Sequence, residues 1–214
     1  MYLCSGFAMQ RFHLYDMQTT DPKITDASAT QADRTTRQFD DAIALCRNLY
    51  VKKLNDYGCA WRLMRPSSLT DQLLIKADRI RSLETKGNQQ VADESILDGF
   101  IALVNYGIIG LIQLNLGFAS GKDLSNDEAI ALYDKNMAET RGLMLRKNHD
   151  YDEAWRKMRV SSYTDLILMK IMRTKEIEDN QGCAAVSEGI DANYMDIVNY
   201  AMFGIIKLTE AQTA

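Results

Sequence analysis

Shifted by 94 residues, the sequence matches itself. From Lys52 to Leu114 against Arg146 to Leu208, 24 of 63 positions are identical without a gap, and 15 of 27 within Lys53 to Arg79. A period of this length is too long for a solenoid unit, so it marks two tandem copies of one small domain. Upstream, Asp41-Ala-Ile-Ala-Leu45 resembles Glu128-Ala-Ile-Ala-Leu132 at a shift of 87, which implies seven extra residues in the first helix of the second copy. Gly117, Ser120, Gly121 and Ser125 give the stretch between the copies the composition of a linker. Residues 16–38 are polar and lack apolar periodicity, as expected of a flexible leader. The expected organisation is a leader over 1–40, a first repeat over 41–114, a linker over 115–126 and a second repeat over 127–209.

With only 2 prolines and 12 glycines, and no sustained two-residue alternation, the chain favours long helices over a turn-rich sandwich. Each copy reads as three helices, over about 41–57, 69–84 and 93–116, and over about 127–150, 163–179 and 187–209. Ser68-x-x-Asp71 and Ser162-x-x-Asp165 fit capping boxes at the second helices. The third helix is very apolar, and two copies in one chain can bury it mutually. The predicted fold class is therefore all-α: a helical bundle built from two tandem three-helix repeats related by pseudo-twofold symmetry, an intramolecular pseudo-dimer open to further homo-oligomer assembly. The apolar run 103–119 contains Asn105, Gln113 and Asn115 and is short for a bilayer, so it reads as a buried helix and no membrane partner is expected. A net charge of −4 argues against duplex nucleic acid, whose binders neutralise phosphates with basic side chains. Cys4, Cys46, Cys59 and Cys183 form no C-x-x-C pair, which fits reduced thiols in a cytoplasmic protein.

Several polar residues sit where packing alone would not put them. On the second helices Lys76 and Lys170 fall inside the apolar arc, where a lysine must snorkel, pair with a carboxylate or hold a ligand anion. The block D-Y-x-x-A-W-R-x-M-R-x-S-S-x-T-D recurs in both copies. Its arginines, Arg62, Arg65, Arg156 and Arg159, could fork onto phosphate oxygens near a helix start. Its aromatics, Tyr57, Trp61, Tyr151 and Trp155, could stack a base or anchor the segment to the core. On the third helices Glu94 with Asp98, and Glu188 with Asp191 or Asp196, offer carboxylates at spacings that can share Mg²⁺. First-turn carboxylates also favour the helix dipole, and Asn105 and Asn199, each followed by a tyrosine, suit helix-to-helix hydrogen bonds. No Walker loop, H-E-x-x-H or G-x-S-x-G is present, so catalysis would fall to carboxylates and a metal.

The block K-N-x-D-Y-G-x-A-W, then R-x-S-S-x-T-D, then a D-x-x-N-Y helix, resembles the nucleotide modification associated domain 1 family, which includes bacterial members with two copies. The second copy carries Lys147-Asn148-His149-Asp150-Tyr151 and Asp196-Ile-Val-Asn199-Tyr200. The first has Asn55-Asp56-Tyr57-Gly58, but Ala102 where the second has Asp196, and Asp152 replaces the glycine in the second. More distantly, spaced carboxylates on helices are similar to those of the all-α nucleoside triphosphate pyrophosphatases of the MazG kind. There Glu188-x-x-Asp191 fits one metal pair, while lysines and arginines stand where the other pair is required. The resemblance implies a protein that binds a nucleotide or related phosphorylated metabolite in modified-nucleotide metabolism. It extends to an Mg²⁺-dependent nucleotide (pyro)phosphohydrolase, with a non-catalytic helical scaffold as the alternative.

Overall fold

A computed structural model describes residues 30–87, 89–90, 94–180 and 189–213. Among the described residues the chain is helical and has no strand. The helices are α1 (Gln31–Tyr57), α2 (Pro66–Lys86), α3 (Ile96–Leu116), α4 (Asn126–Tyr151), α5 (Val160–Asp179) and α6 (Ile190–Thr213). A short 3₁₀ turn precedes α2 (Ala60–Leu63) and another precedes α5 (Ala154–Lys157). The all-α, two-repeat reading therefore holds. Helix α1 starts about ten residues before Asp41, so 31–40 of the expected leader is helical, and residues 1–29 lie outside the described residues.

The helix ends follow local chemistry, though not where the serine motifs suggested. Pro66 opens α2 at its first position, where no backbone donor is needed, and Gly87 closes it in the left-handed region at φ 66. Ser68 and Ser162 lie inside the first turns of α2 and α5, which have no side-chain cap. Asp71 instead pairs with Lys175, and Asp165 with Arg81 at 2.6 Å. The capping boxes are at the next helices, Ser95 with Asp98 on α3 and Ser125 with Glu128 on α4.

The two repeats pack about a pseudo-twofold axis, and the contacts come in pairs related by 94 residues. Arg47 grips Asp134 with two bonds of 2.7 and 2.8 Å, and Arg141 grips Asp40 with two of 2.6 and 2.9 Å. Thr70 donates to Glu178 at 2.7 Å, and Thr164 donates to Glu84 at 3.0 Å. Asp71–Lys175 and Asp165–Arg81 form a third pair. The buried residues of α1 (Thr35, Phe39, Ala42, Cys46, Tyr50) and of α4 (Ala129, Tyr133, Asn136, Thr140, Met144) obey the same shift. The first helix of the second copy thus has no seven-residue insertion. The match at a shift of 87 aligns two segments that are two helical turns out of register. Seven residues turn a helix by about 700°, which returns the same face to the core and makes the patterns alike.

The core sits between α3 and α6, with α2 and α5 flanking it. Helix α3 is long and apolar enough to cross a membrane, but most of that apolar stretch is buried inside the fold. The close approach depends on small residues. A Cβ on Gly110 would overlap the ring of Tyr194, one on Gly204 would come within 2.9 Å of Phe100, and one on Gly107 within 2.6 Å of Val198. Gly110 and Gly204 are equivalent positions, as are Phe100 and Tyr194. Both rings are fully buried, which is worth roughly 1.5–3 kcal/mol for each side chain.

Gly110→Ala therefore overpacks the axis and should destabilise the protein by about 1–3 kcal/mol in chemical denaturation. The Glu84 and Glu178 carboxyls give a pH signature. Burial pushes both up, outweighing the hydroxyls that bond them. An acid raised on folding makes the native state bind more protons, so stability falls as pH rises through that window. The Glu84→Gln, Glu178→Gln double variant should melt higher than the wild type above neutral pH. The gap should close as pH drops below the glutamate range, as read by thermal melts from pH 4 to 9 (a span of about five units).

Candidate functional site

The recurring block builds one cavity in each repeat, and the two are again related by 94 residues. In the second repeat a cavity of 310 Å³ is enclosed by α4, the 3₁₀ turn, α5 and α6, with Lys147, Asn148, Tyr151, Trp155, Asp196 and Asn199 among its lining residues. In the first, a cavity of 270 Å³ has Lys53, Leu54, Tyr57, Trp61, Ala102 and Asn105 at those places. The spacing Lys-x-x-x-Tyr puts the two side chains on one face of α1 or α4. The 3₁₀ turn then folds the indole back beneath them.

Charge concentrates in the second cavity. Asp196, 5% exposed, accepts from Lys147 at 2.5 Å and from Lys170 at 2.7 Å. Lys170 is itself buried, whereas Lys147 keeps 43% of its side chain exposed. This resolves the lysine on the apolar arc of α5: it pairs with a carboxylate from α6. In the first repeat Ala102 removes that carboxylate and Lys76 is half-buried.

The turn before Trp155 is held in an uncommon backbone shape. Asp152 and Glu153 lie in the left-handed region at φ 47 and 58, where the first repeat has Gly58 at φ 66. Left-handed non-glycine residues cost about 1 kcal/mol or more each and persist where side-chain bonds hold them. Glu153 accepts from Thr35 and Asn148 at 2.5 Å and from Arg156 at 2.7 Å. Burial pushes the Glu153 carboxyl up, but the bonds from Thr35, Asn148 and Arg156 outweigh it and leave it below the usual carboxylate range. The bond to Glu153 turns the amide nitrogen of Asn148 toward the turn and leaves its oxygen shielded.

Among the described residues five buried side-chain atoms have no hydrogen-bond partner: Asn148 Oδ1, Asn199 Oδ1, Trp155 Nε1, Trp61 Nε1 and Asn193 Oδ1. The first three belong to residues that line the second cavity. Asn199 uses its amide nitrogen on the Thr140 carbonyl at 3.3 Å, which fixes which end stays without a partner. In the first cavity Asn105 is satisfied at both ends, donating to the Cys46 carbonyl at 3.2 Å and accepting from Tyr133 at 2.8 Å. Leu54 stands in place of Asn148 there, so neither position offers an open acceptor.

Two arginines of the block, Arg62 and Arg156, are tied into the fold. Arg62, 3% exposed, bonds Asp123 through Nε at 2.7 Å and Nη2 at 2.9 Å, the Gly117 carbonyl at 2.6 Å, and Gln113. It clasps the linker to the first repeat, and its guanidinium holds the Asp123 carboxyl below the usual range. Arg156 bonds Glu153, Thr35, Gln38 and Glu210 and covers the Trp155 ring at 4.3 Å. Phe203 stacks on the same indole at 4.4 Å and 9°. Groups this close must occupy opposite faces, so only the edge of Trp155 is open to a ligand. Arg65 and Arg159 are exposed. Tyr57 and Tyr151, 50% and 70% exposed, stand at the cavity mouths and keep a stacking role within reach.

Among the described residues the carboxylates of the third helices are not brought together. Asp98 caps α3 through Ser95, Glu94 pairs with Arg79 at 3.5 Å, and Asp191 is exposed near the start of α6. Glu188 lies outside the described residues. Among the described residues no three His, Cys, Asp or Glu side chains gather as metal ligands. Asp196 does not fit Mg²⁺: this buried carboxylate already faces two ammonium groups, and a hard dication beside them would be repelled.

Compared with known families, a model described as nucleotide modification associated domain 1 matches residues 53–114 and 147–208, which is more than half of the chain. The second match takes in Lys147, Asn148, Trp155, Asp196 and Asn199. No curated protein and no solved structure matches the chain. The likeness to pyrophosphatases of the MazG kind gains nothing from these comparisons.

Arg62→Ala would leave the buried Gln113 oxygen without its donor, at about 1–3 kcal/mol. Its melting temperature should fall by several degrees, while Arg65→Ala and Arg159→Ala stay within about 0.5 kcal/mol of the wild type in chemical denaturation.

Proposed function

Because the chain belongs to the nucleotide modification associated domain 1 family, we propose that it binds a nucleotide or related phosphorylated metabolite in the cavity of its second repeat. The observation that carries this reading is that residues lining one cavity hold buried polar atoms without a partner, two amide oxygens and an indole N–H. Buried polar groups without partners are rare in folded proteins, and each costs about 1–3 kcal/mol unless something bonds it. A ligand that met all three would recover that cost.

The cavity size supports a small occupant. At 310 Å³ it falls at the low end of small-molecule sites. Lys147 is the partly exposed cation of the rim and the group placed to meet a phosphate left at the mouth. Tyr151 offers an exposed ring beside it. Arg62 and Arg156 are engaged in several internal bonds each, whereas Lys147, paired with Asp196, keeps 43% of its side chain exposed, which supports giving it that role. The reading is of binding; no hydrolytic step is drawn from residues whose carboxylate is committed to two lysines.

Thermal melts against ribo- and deoxyribonucleoside phosphates, with and without Mg²⁺, test the proposal. A ligand at a hundredfold over its Kd adds about 2.7 kcal/mol, a shift of a few degrees for a chain of this size. The expected result is a selective shift, one ligand per chain by titration calorimetry, weakened by Lys147→Ala and unchanged by Lys53→Ala. A flat panel on a well-folded sample would instead favour a scaffold role.

A further inference from the structure

The two cavities differ most in charge, and the difference leaves two cations of the first repeat without their acid. In the second repeat Lys147 and Asp196 both line the cavity and bond at 2.5 Å, and Lys170 reaches the same carboxylate at 2.7 Å. A shift of 94 residues carries Lys147, Lys170 and Asp196 onto Lys53, Lys76 and Ala102. The first repeat keeps both lysines and has a methyl in place of the acid. Lys53 and Ala102 line its cavity, as their counterparts line the other. Among the described residues neither Lys53 nor Lys76 is paired with a carboxylate. Lys76 is nonetheless half-buried on the apolar arc of α2, where an ammonium without a counter-charge is costly. The rest of the lining is of another kind. Leu49, Leu54, Trp61, Met64 and Ile109 give the first cavity apolar walls, and Leu54 stands where the second has Asn148.

We propose that the first-repeat cavity binds a small carboxylic acid with an apolar body. Its carboxylate takes, beside Lys53, the place that Asp196 holds beside Lys147. An aspartate beyond its Cβ is only a carboxylate, so alanine at that position removes the anion and leaves the helix as it was. A carboxylate brought by a ligand restores the charge balance that the second repeat builds from its own chain. Bonds from an ammonium to a carboxylate are among the strong hydrogen bonds, so the lysines fix the polar end. The apolar walls then favour an aliphatic or aryl body, which gains by leaving water. At 270 Å³ the cavity lies just under the roughly 300–1,000 Å³ typical of small-molecule sites, which favours a compact acid over a long chain. The site is separate from the cavity of the second repeat and does not rest on the nucleotide reading.

Titration calorimetry of the full chain with benzoate, butyrate, acetate, benzyl alcohol and phenyl phosphate tests this. Benzoate or butyrate should bind at one site per chain. The tighter of the two should exceed acetate, which lacks the body, and benzyl alcohol, which lacks the charge, by about tenfold or more. Ala102→Asp gives the first repeat the acid that the second already carries. It should melt no lower than the wild type and weaken benzoate and butyrate by about tenfold or more. Lys53→Ala should weaken them too, and it decides the matter if Ala102→Asp fails to fold. Benzyl alcohol binding as tightly as benzoate would reduce the site to an apolar hole. Phenyl phosphate binding more tightly than benzoate would make phosphate the preferred anion. Binding unmoved by either variant would put the acid elsewhere on the chain. Each of these overturns the proposal, as does the absence of saturable binding by both acids. Nucleotides play no part in these measurements, so either proposal can fail with the other left standing.

Discussion

The contact on which the rest of this structure depends is the close crossing of α3 and α6. Gly110 and Gly204 leave room for Tyr194 and Phe100 at pseudo-equivalent places, so each repeat supplies a hole and a ring to the other. A single three-helix unit would expose its most apolar helix to water. Two units in one chain bury it against its own copy. Everything peripheral then follows the axis: Arg47–Asp134 with Arg141–Asp40, and Thr70–Glu178 with Thr164–Glu84, are the same contacts made twice. The outer pairs are exposed ion pairs of modest individual worth. They report the register of the halves more than they hold them together.

Symmetry at the core leaves the two cavities free to differ. Neither cavity lies on the axis, so a change in one need not be matched in the other. The second repeat has Asp196, Asn148 and a strained Asp152–Glu153 turn where the first has Ala102, Leu54 and Gly58–Cys59. These changes depend on one another. Asp196 on an apolar helix is tolerable because Lys147 and Lys170 reach it. Asn148 keeps its orientation because Glu153 holds it, and Glu153 keeps its backbone shape because Thr35 and Arg156 hold the carboxylate. Thr35 comes from the other repeat, so the second cavity is braced by the first.

How much of this was legible in the sequence varied with the range of the interaction. The repeat, the absence of strand and the burial of the third helices followed from identity and periodicity, which are properties of single elements. The register of α1 against α4 did not. A helix pattern slid by seven residues shows nearly the same face, and the short match near Asp41 was such an alias. Arg62 and Arg156 were legible as unusual, but their partners were not. Arg62 is answered by Asp123 in the linker and Arg156 by Glu210 at the far end of α6, partners that only the tertiary fold supplies. Asp98 looked like a metal ligand because a cap and a ligand use the same residue type at the start of a helix.

Asn148 and Glu153 were missed although their signal was present. Comparing the copies by what they share selects residues the fold needs in both, among them Arg62 and Arg156. Comparing them by what they do not share selects Leu54 against Asn148 and Ala102 against Asp196, and both lead to the second cavity. Polar replacements of buried apolar positions are costly unless met by a partner. For Asp196 the partners are internal, two lysines. For the oxygen of Asn148 no partner is found within the described fold, and neither is one for the oxygen of Asn199, the residue whose counterpart Asn105 is satisfied at both ends. In a chain that repeats itself, a difference that the fold does not explain is the stronger pointer to what the chain binds.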